Sequence, residues 1–226
     1  MCVQFELVIF DLDGTLIDTR RDITNAANEM LAHYGLQKKS VDEVTGYVGD
    51  GIEKFVERCV ATQKVATQKV AGSRVDLDEA ADLFKGFYAE RLMEFSRPYP
   101  GIVDLLQRMN GVRKAILTNK AYGMSKSIAD GLGISGFFEL LVGGDSLPRK
   151  KPFPDGILYI LEKTGVARKH SLMVGDGPND IVTAREAGVS SVYVSWGFSD
   201  ERNLDGLKPT LRVDRPEELL AILHGS

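Results

Sequence analysis

Hydrophobic and polar positions follow two different patterns along the chain. From about residue 18 to residue 95, apolar residues recur at the spacing of amphipathic helices. The block ends at Pro98 and Pro100, because two prolines so close together cannot lie inside a helix. We therefore predict helices throughout this block. Its clearest apolar stripe repeats every three or four residues: Ile52, Phe55, Val56, Cys59 and Val60.

The rest of the chain alternates between short apolar runs and helical stretches, such as 156–163 and 180–187. Strands that alternate with helices indicate βαβ units and a parallel sheet. We predict an α/β fold, with a Rossmann-like core formed by 1–17 and 97–226 and a helical domain, 18–96, inserted after the first strand. The runs predicted as buried strands are 7–10, 115–117, 140–142, 172–174 and 191–194.

Composition and charge narrow the class of protein. The 226 residues include 28 basic and 32 acidic residues, and a net charge of -4 gives no general attraction to nucleic acid or membranes. Two cysteines exclude a disulfide scaffold and a four-cysteine zinc site. Gln4 and Glu6 interrupt the first apolar run, so we expect no signal peptide. The expected location is the cytoplasm, as a monomer or homodimer.

The segment from Phe10 to Leu16 carries the first candidate chemistry. Asp11 and Asp13 come directly after an apolar run, with Gly14 next to them. In open α/β sheets, ligands bind at the carboxyl ends of the strands. Two acids at that position suit a divalent metal and a phosphoryl group. The same residues also fit an ordinary turn in which an aspartate bonds to its own backbone.

Polar residues also follow the later predicted strands. Thr118 and Asn119 follow the second strand, Lys151 follows the third, and Asp176 and Asp180 follow the fourth. Because parallel strands end at the same edge of a sheet, we expect these side chains to lie together with Asp11 and Asp13. Each residue also has a plain structural interpretation: a turn, a solvated basic run at Lys151, or a helix N-cap at Asp180.

A cation is expected at this edge. Carboxylates gathered there would repel one another strongly without one. Hard oxygen ligands in a small cluster favour Mg²⁺, which shares its coordination shell with water and with substrate phosphate.

Taken in order, these segments resemble the motifs of the haloacid dehalogenase-like hydrolase superfamily. The helical insert resembles the small helical cap of that family. Three further segments, which are less specific, resemble the phosphoglycolate phosphatase group: 48–51, 99–101 and 195–198. The resemblance covers essentially the whole chain. The segments that match the four motifs are 11–15, 118–119, 151–152 and 175–180.

The resemblance implies catalytic roles. Asp11 would be the nucleophile that forms an aspartyl-phosphate. Asp13 would protonate the leaving alkoxide and then activate water. The Thr118 hydroxyl and the Asn119 backbone N–H would hold the phosphoryl oxygens. Lys151 would screen the charge between nucleophile and phosphate.

The resemblance also implies a magnesium site. Its protein ligands would be the Asp11 carboxylate, the Asp13 backbone carbonyl and the Asp176 carboxylate. Asp180 would orient Lys151 or a metal-bound water instead of binding the ion directly.

Substrate selection is expected from the cap. A glycine-rich turn that leads into a helix can meet an anion, which makes Tyr47, Gly49 and Lys54 candidate contacts, with Arg20 as a further cation. The alternative is that the glycines only shape a turn. A small phosphorylated metabolite is the expected partner, with 2-phosphoglycolate first; sugar phosphates, nucleotides and pyrophosphate stay open.

Two other functions are kept open. A phosphomutase of the β-phosphoglucomutase type would use the same two acids, although that branch often has Val where Thr15 stands here. A non-catalytic binding protein of the same fold is the other, and the complete acid set argues against it. Asp13 argues against dehalogenation, because dehalogenases lack an acid at this position.

Two other features receive no catalytic role. We interpret Trp196 and Phe198 as packing residues, and we assign no chemistry to the pentapeptide repeat at 60–69.

Overall fold

The computed structural model describes residues 5–61, 75–200, 204 and 206–224. Most of the pentapeptide repeat lies outside these residues. The chain divides into two compact units. Met1–Asp18 with Arg97–Ser226 is called the strand unit here, and Thr19–Ser96 is called the helical unit.

Within the described residues, six strands form one parallel sheet in the order β5-β4-β1-β6-β7-β8. A separate two-stranded ribbon pairs β2 with β3 in antiparallel fashion. The predicted α/β fold with a parallel sheet is confirmed. In chain order the strands are β1 (Leu7–Phe10), β2 (Ile17–Asp18), β3 (Arg97–Pro98), β4 (Arg113–Leu117), β5 (Leu140–Val142), β6 (Ser171–Gly175), β7 (Ser190–Val194) and β8 (Leu211–Val213).

Strand β1 lies at the centre of the sheet, where Ile9 pairs with Ala115 on one side and Met173 on the other. Every residue of β1 is buried, as expected for a parallel strand whose two faces are both covered. Leu7 and Ile9 belong to a core cluster that includes Ile157. The helices of the strand unit are α5 (Ile102–Arg108), α6 (Tyr122–Gly131), α7 (Asp155–Thr164), α8 (Pro178–Ala187) and α9 (Glu218–His224).

The described part of the helical unit consists mainly of helices joined by short turns. The apolar stripe of the third helix is buried at Phe55, Val56 and Cys59. Ser40 and Glu43 form a reciprocal capping box at the start of the second helix. The helices are α1 (Arg20–His33), α2 (Val41–Thr45), α3 (Ile52–Ala61) and α4 (Leu77–Glu90).

A buried carboxylate joins the beginning and the end of the helical unit. Asp22, in the first turn of α1, accepts hydrogen bonds from the backbone N–H groups of Phe95 and Ser96 at 3.0 and 2.7 Å. The Ser96 hydroxyl donates to the same carboxylate at 2.6 Å. Two adjacent backbone donors are thus satisfied by a side chain that lies 73 and 74 residues away in sequence, which fixes where the unit closes.

Within the described residues, no helix combines the length and the apolar character that a membrane span needs.

Candidate active site

The loop after β1 is shaped by a glycine that faces a carboxylate. Gly14 has a φ of 84°, a conformation that favours glycine. A Cβ at Gly14 would overlap the carboxylate of Asp176. The loop closes on itself, because the N–H groups of Leu16 and Ile17 both donate to the Leu12 carbonyl at 3.0 Å. Glycine is therefore required at position 14 by both backbone conformation and space.

The strand ends bring three acidic side chains together. Asp11, Asp176 and Asp180 each offer a carboxylate oxygen, and these oxygens lie within 4.8 Å of one another. Asp176 and Asp180 are buried, whereas Asp11 is partly exposed. This close group is what parallel strands with acidic ends predict.

Lys151 lies against two of these acids. Its Nζ is 2.9 Å from Oδ1 of Asp11 and 2.6 Å from Oδ1 of Asp180. The carbonyl of Lys151 accepts a hydrogen bond of 2.9 Å from the Asn119 side-chain amide. The segment after β4 therefore fixes the segment that carries the lysine.

Asp180 does not have the position that an N-cap requires. Helix α8 begins at Pro178, and Gly177 occupies the N-cap position. Asp180 lies three residues further on, and its Oδ2 accepts the Gly177 N–H at 3.1 Å. The interpretation of Asp180 as an N-cap is thus wrong, because proline at the first helical position starts the helix three residues earlier than that interpretation requires.

The electrostatics show more negative charge than Lys151 alone compensates. Burial, followed by the neighbouring carboxylates of Asp180 and Asp176, raises the pKa of Asp11 to about 8, although Lys151 opposes this rise. Burial and Asp180 raise the pKa of Asp176 to about 6. Burial lowers the pKa of Lys151, but Asp11 and Asp180 raise it by more, so that it lies above its usual value.

These pKa directions favour an added cation. A buried carboxylate with a raised pKa gains from any positive charge that can replace its proton. Three carboxylates within 4.8 Å supply the hard oxygen ligands that divalent cations prefer. The acidic group therefore fits a metal site.

Asp176 is held by the loops on both sides of it. Its Oδ2 accepts the backbone N–H of Phe198 at 2.7 Å, and its Oδ1 accepts the Thr15 hydroxyl at 3.1 Å. The indole N–H of Trp196 donates to the Thr15 carbonyl at 3.0 Å. A Cβ on Gly197 would overlap the Asp176 side chain. The interpretation of Trp196 and Phe198 as packing residues missed these hydrogen bonds.

Asp13 has a partner that sequence reasoning did not assign. Both of its carboxylate oxygens contact Nζ of Lys120, at 2.9 Å for Oδ1 and 2.8 Å for Oδ2. Lys120 directly follows Thr118 and Asn119, so its place at a strand end was the available signal. A lysine at the end of a strand is often an ordinary surface residue, and nothing in the sequence distinguishes such a residue from a partner of Asp13.

Comparison with known proteins identifies the family. The family model described as haloacid dehalogenase-like hydrolase matches residues 8–194. The chain belongs to this family. The predicted family and hydrolase class are confirmed.

The relatives of the chain extend along most of its length. A phosphoglycolate phosphatase of Pseudomonas putida is 36% identical over 97% of this chain and 79% of its own. One from Aquifex aeolicus is 34% identical over 96% of both chains. The crystal structure of a predicted phosphoglycolate phosphatase from Haemophilus somnus has a TM-score of 0.89 at 31% identity, and covers 97% of this chain and 98% of that one. These relatives support the predicted phosphatase activity for this member of the haloacid dehalogenase-like hydrolase family.

Residues predicted to contact substrate lie in the helical unit of this family member. The turn that contains Tyr47 and Gly49 is held by Arg58, whose guanidinium donates to the Tyr47 carbonyl at 3.1 Å and contacts the Asp50 carboxylate. Lys54 is 2.8 Å from Glu57. The carbonyl of Arg20, the remaining predicted contact, accepts the Thr24 hydroxyl at 2.7 Å. Their role in substrate binding stays a prediction.

Proposed function

We propose that this protein is a Mg²⁺-dependent phosphatase that hydrolyses a small phosphorylated metabolite through an aspartyl-phosphate on Asp11. The observation that carries the proposal is the contact of Asp11 with Lys151 beside two further buried acids. The names of the full-length relatives support 2-phosphoglycolate as the first substrate to test.

In the first half-reaction, a carboxylate oxygen of Asp11 forms a bond to phosphorus, and the bond from phosphorus to the leaving oxygen breaks. Asp13 gives its proton to that oxygen, so the leaving group departs as an alcohol. The Thr118 hydroxyl, the Asn119 backbone N–H and the Lys151 ammonium would contact the phosphoryl oxygens. Such contacts stabilise the charge of the transferring group.

In the second half-reaction, water attacks the phosphorus of the aspartyl-phosphate. Asp13, now a carboxylate, accepts a proton from that water. The bond between phosphorus and Asp11 breaks, which releases phosphate and restores the carboxylate. Covalent catalysis thereby divides one difficult displacement into two easier ones.

The residues that would hold Mg²⁺ are Asp11, Asp176 and the backbone carbonyl of Asp13. A bound divalent ion supplies positive charge that offsets the charge of the phosphoryl oxygens. Asp180 would orient the lysine, and its 2.6 Å contact with Nζ of Lys151 supports that role. The N–H of Phe198 and the hydroxyl of Thr15 would keep the Asp176 carboxylate in position.

The helical unit, in this proposal, is a cap that selects the leaving group. Tyr47, Gly49, Lys54 and Arg20 are the proposed selecting residues. Support comes from the fixed turn, in which Arg58 holds the Tyr47 carbonyl. A loop already held in one conformation loses less conformational entropy on binding than a loop that must first be ordered.

The test is phosphate release from a panel of small phosphorylated metabolites, measured with Mg²⁺ and with EDTA. Asp11→Asn keeps the volume of the side chain but removes the nucleophile, so it should show no turnover. Asp104→Asn is the matched control, because Asp104 is exposed and its carboxylate pairs with Arg108 on the same helix. Metal-dependent release by wild type and by the control alone supports the proposal.

The contrary outcomes are distinct. Wild-type rates in Asp11→Asn would exclude Asp11 as the nucleophile. Conversion of β-glucose 1-phosphate to its 6-phosphate isomer, without release of phosphate, would replace the phosphatase by a phosphomutase. If the folded protein releases phosphate from no compound of the panel, a non-catalytic binding protein is favoured.

A further inference from the structure

The strand unit contains a second buried lysine–aspartate contact, separate from that of Lys151. Nζ of Lys120 lies 2.8–2.9 Å from both carboxylate oxygens of Asp13. The two side chains are only 7% and 9% exposed. The residues come from the ends of different strands, β4 and β1, so the contact connects two loops of the site.

The backbone of Lys120 is itself held on two sides. Its N–H donates to the Thr118 hydroxyl at 3.2 Å, and its carbonyl accepts the Gly144 N–H at 2.8 Å. Gly144 packs so tightly that a Cβ there would overlap the Asn119 carbonyl. Lys120 therefore lies in a rigid segment that follows β4 and is hydrogen-bonded to the loop after β5.

We propose that Lys120 is a positioning residue, which holds the Asp13 carboxylate in the orientation needed for proton transfer at the leaving oxygen. The inference rests on the proposed phosphatase function. An aspartate carboxylate is free to turn about two side-chain torsions, and a cation that contacts both oxygens restricts both torsions. Because the pair is shielded from water, the attraction between its charges is stronger than on the surface when Asp13 is ionised. When one oxygen of Asp13 carries the proton for the leaving group, the ammonium of Lys120 still donates to the other oxygen.

Preorganisation of this kind acts on the rate. A catalytic group must lie close to its productive geometry, and small displacements can cost two orders of magnitude in rate. Loss of Lys120 should therefore harm the steps that need Asp13 and spare those that do not. That selectivity distinguishes positioning from a general structural contact between the two loops.

Leaving-group dependence gives the first test. Lys120→Met keeps an unbranched side chain and removes the charge. With 2-phosphoglycolate, whose alkoxide needs a proton, kcat/KM should fall about 100-fold, near the lower end of what acid–base catalysis contributes. With 4-nitrophenyl phosphate, whose phenolate leaves readily, the loss should stay under about 10-fold. Lys126→Met is the control: Lys126 lies exposed on α6 and pairs with Asp130, and its variant should match wild type.

A double-mutant cycle gives the second test. In an Asp13→Asn background, Lys120→Met should lower kcat/KM for 2-phosphoglycolate by less than about 3-fold, because the group it positions is already gone. If Lys120 instead bound the substrate phosphate, its loss would be the same for both substrates and would multiply with that of Asp13→Asn. Either of those results would overturn the inference.

Folding and the underlying activity are controlled separately. Thermal denaturation is measured for every variant, and Lys120→Gln, which retains a hydrogen-bond donor, replaces Lys120→Met in the cycle if the latter does not fold. An equal loss for both substrates, or a lowered melting temperature with unchanged kcat/KM, would show a purely structural contact. Absence of wild-type phosphate release from the metabolite panel and from 4-nitrophenyl phosphate would overturn the proposed function and this inference together. Normal wild-type turnover with losses that multiply in the double variant would overturn this inference alone.

Discussion

The backbone N–H of Phe198 lies 2.7 Å from Oδ2 of Asp176, and the residue between Trp196 and Phe198 is a glycine with no space for a side chain. A residue that follows the fifth strand of the sheet in chain order thus orients an acid that follows the fourth. Partners behind a metal ligand fix its direction and strengthen its binding, and losing one typically costs 10–100-fold in affinity.

Gly197→Ala should therefore weaken Mg²⁺ binding by about 10-fold or more, because the added methyl group displaces the Asp176 carboxylate. Isothermal titration calorimetry with Mg²⁺ measures this without any substrate. Gly123→Ala is the matched control, since a Cβ there meets nothing within 4 Å. Equal affinity in Gly197→Ala and wild type would show that the loop does not position Asp176.

Lys151→Met should destabilise the metal-free protein by about 3–5 kcal/mol at pH 8, the usual cost of removing one partner from a buried ion pair. The loss should be smaller at pH 5. There a proton on Asp11, whose pKa is raised to about 8, takes the place of the missing ammonium charge. Urea unfolding in EDTA at the two pH values measures both quantities, with the exposed Lys163→Met as control. A loss that is larger at pH 5 would contradict this account.

Metal and protons should compete for the acidic group. Because the folded pKa of Asp11 is raised from 3.8 to about 8, the folded metal-free protein holds that proton more tightly than the unfolded chain does. The proton on Asp11 therefore stabilises the folded state fully below about pH 4, and this stabilisation is lost as the pH rises to about 8. Mg²⁺ needs the ionised carboxylates, so its affinity rises over the same range.

The melting temperature should accordingly fall with pH in EDTA across this window, while Mg²⁺ offsets the fall. The gap between the two conditions should widen from pH 5 to pH 8. Differential scanning calorimetry at three pH values gives the result. A gap that stays constant in wild type, or one that also widens in Asp176→Asn as much as in wild type, would argue against ion binding at these carboxylates.

Asp22→Ala should destabilise the helical unit by about 2–3 kcal/mol, because the N–H groups of Phe95 and Ser96 then lose their acceptor. Ser96→Ala removes only one donor and should cost about 1 kcal/mol. Urea unfolding followed by circular dichroism measures both. Asp82→Ala, which removes an exposed partner of Lys85, serves as the control. Equal stability of the Asp22 and Asp82 variants would show that the closure of the unit does not depend on this carboxylate.

The sheet and the acidic group could be predicted because their physical causes lie in local sequence. A parallel strand buried on both faces must be continuously apolar, as 7–10 is, and its carboxyl end is where acids gather. Strand β8 was not predicted, because it lacks such an apolar run. It lies at the edge of the sheet, and its residues Leu211 and Arg212 are exposed.

The contacts around the acids could not be predicted. Phe198 acts through a backbone N–H, a group that nearly every residue carries, so its side chain gives no signal. Lys120 was visible at a strand end, but its pairing with Asp13 depends on how two loops meet in space. The N-cap interpretation placed Asp180 three positions too early in its helix, because Pro178 was not counted as the first helical residue.

The central position of β1 has a consequence for synthesis of the chain. Of the strands in this sheet, β1 is made first, yet its two neighbours, β4 and β6, come from the middle and the last third of the sequence. Until both have been made, Leu7, Val8, Ile9 and Phe10 form an apolar, uncharged segment with unpaired backbone groups on both sides. Such segments associate with other chains while they wait. The nascent chain therefore carries this apolar strand with its backbone groups unpaired until β6 has been made and the sheet can close around it.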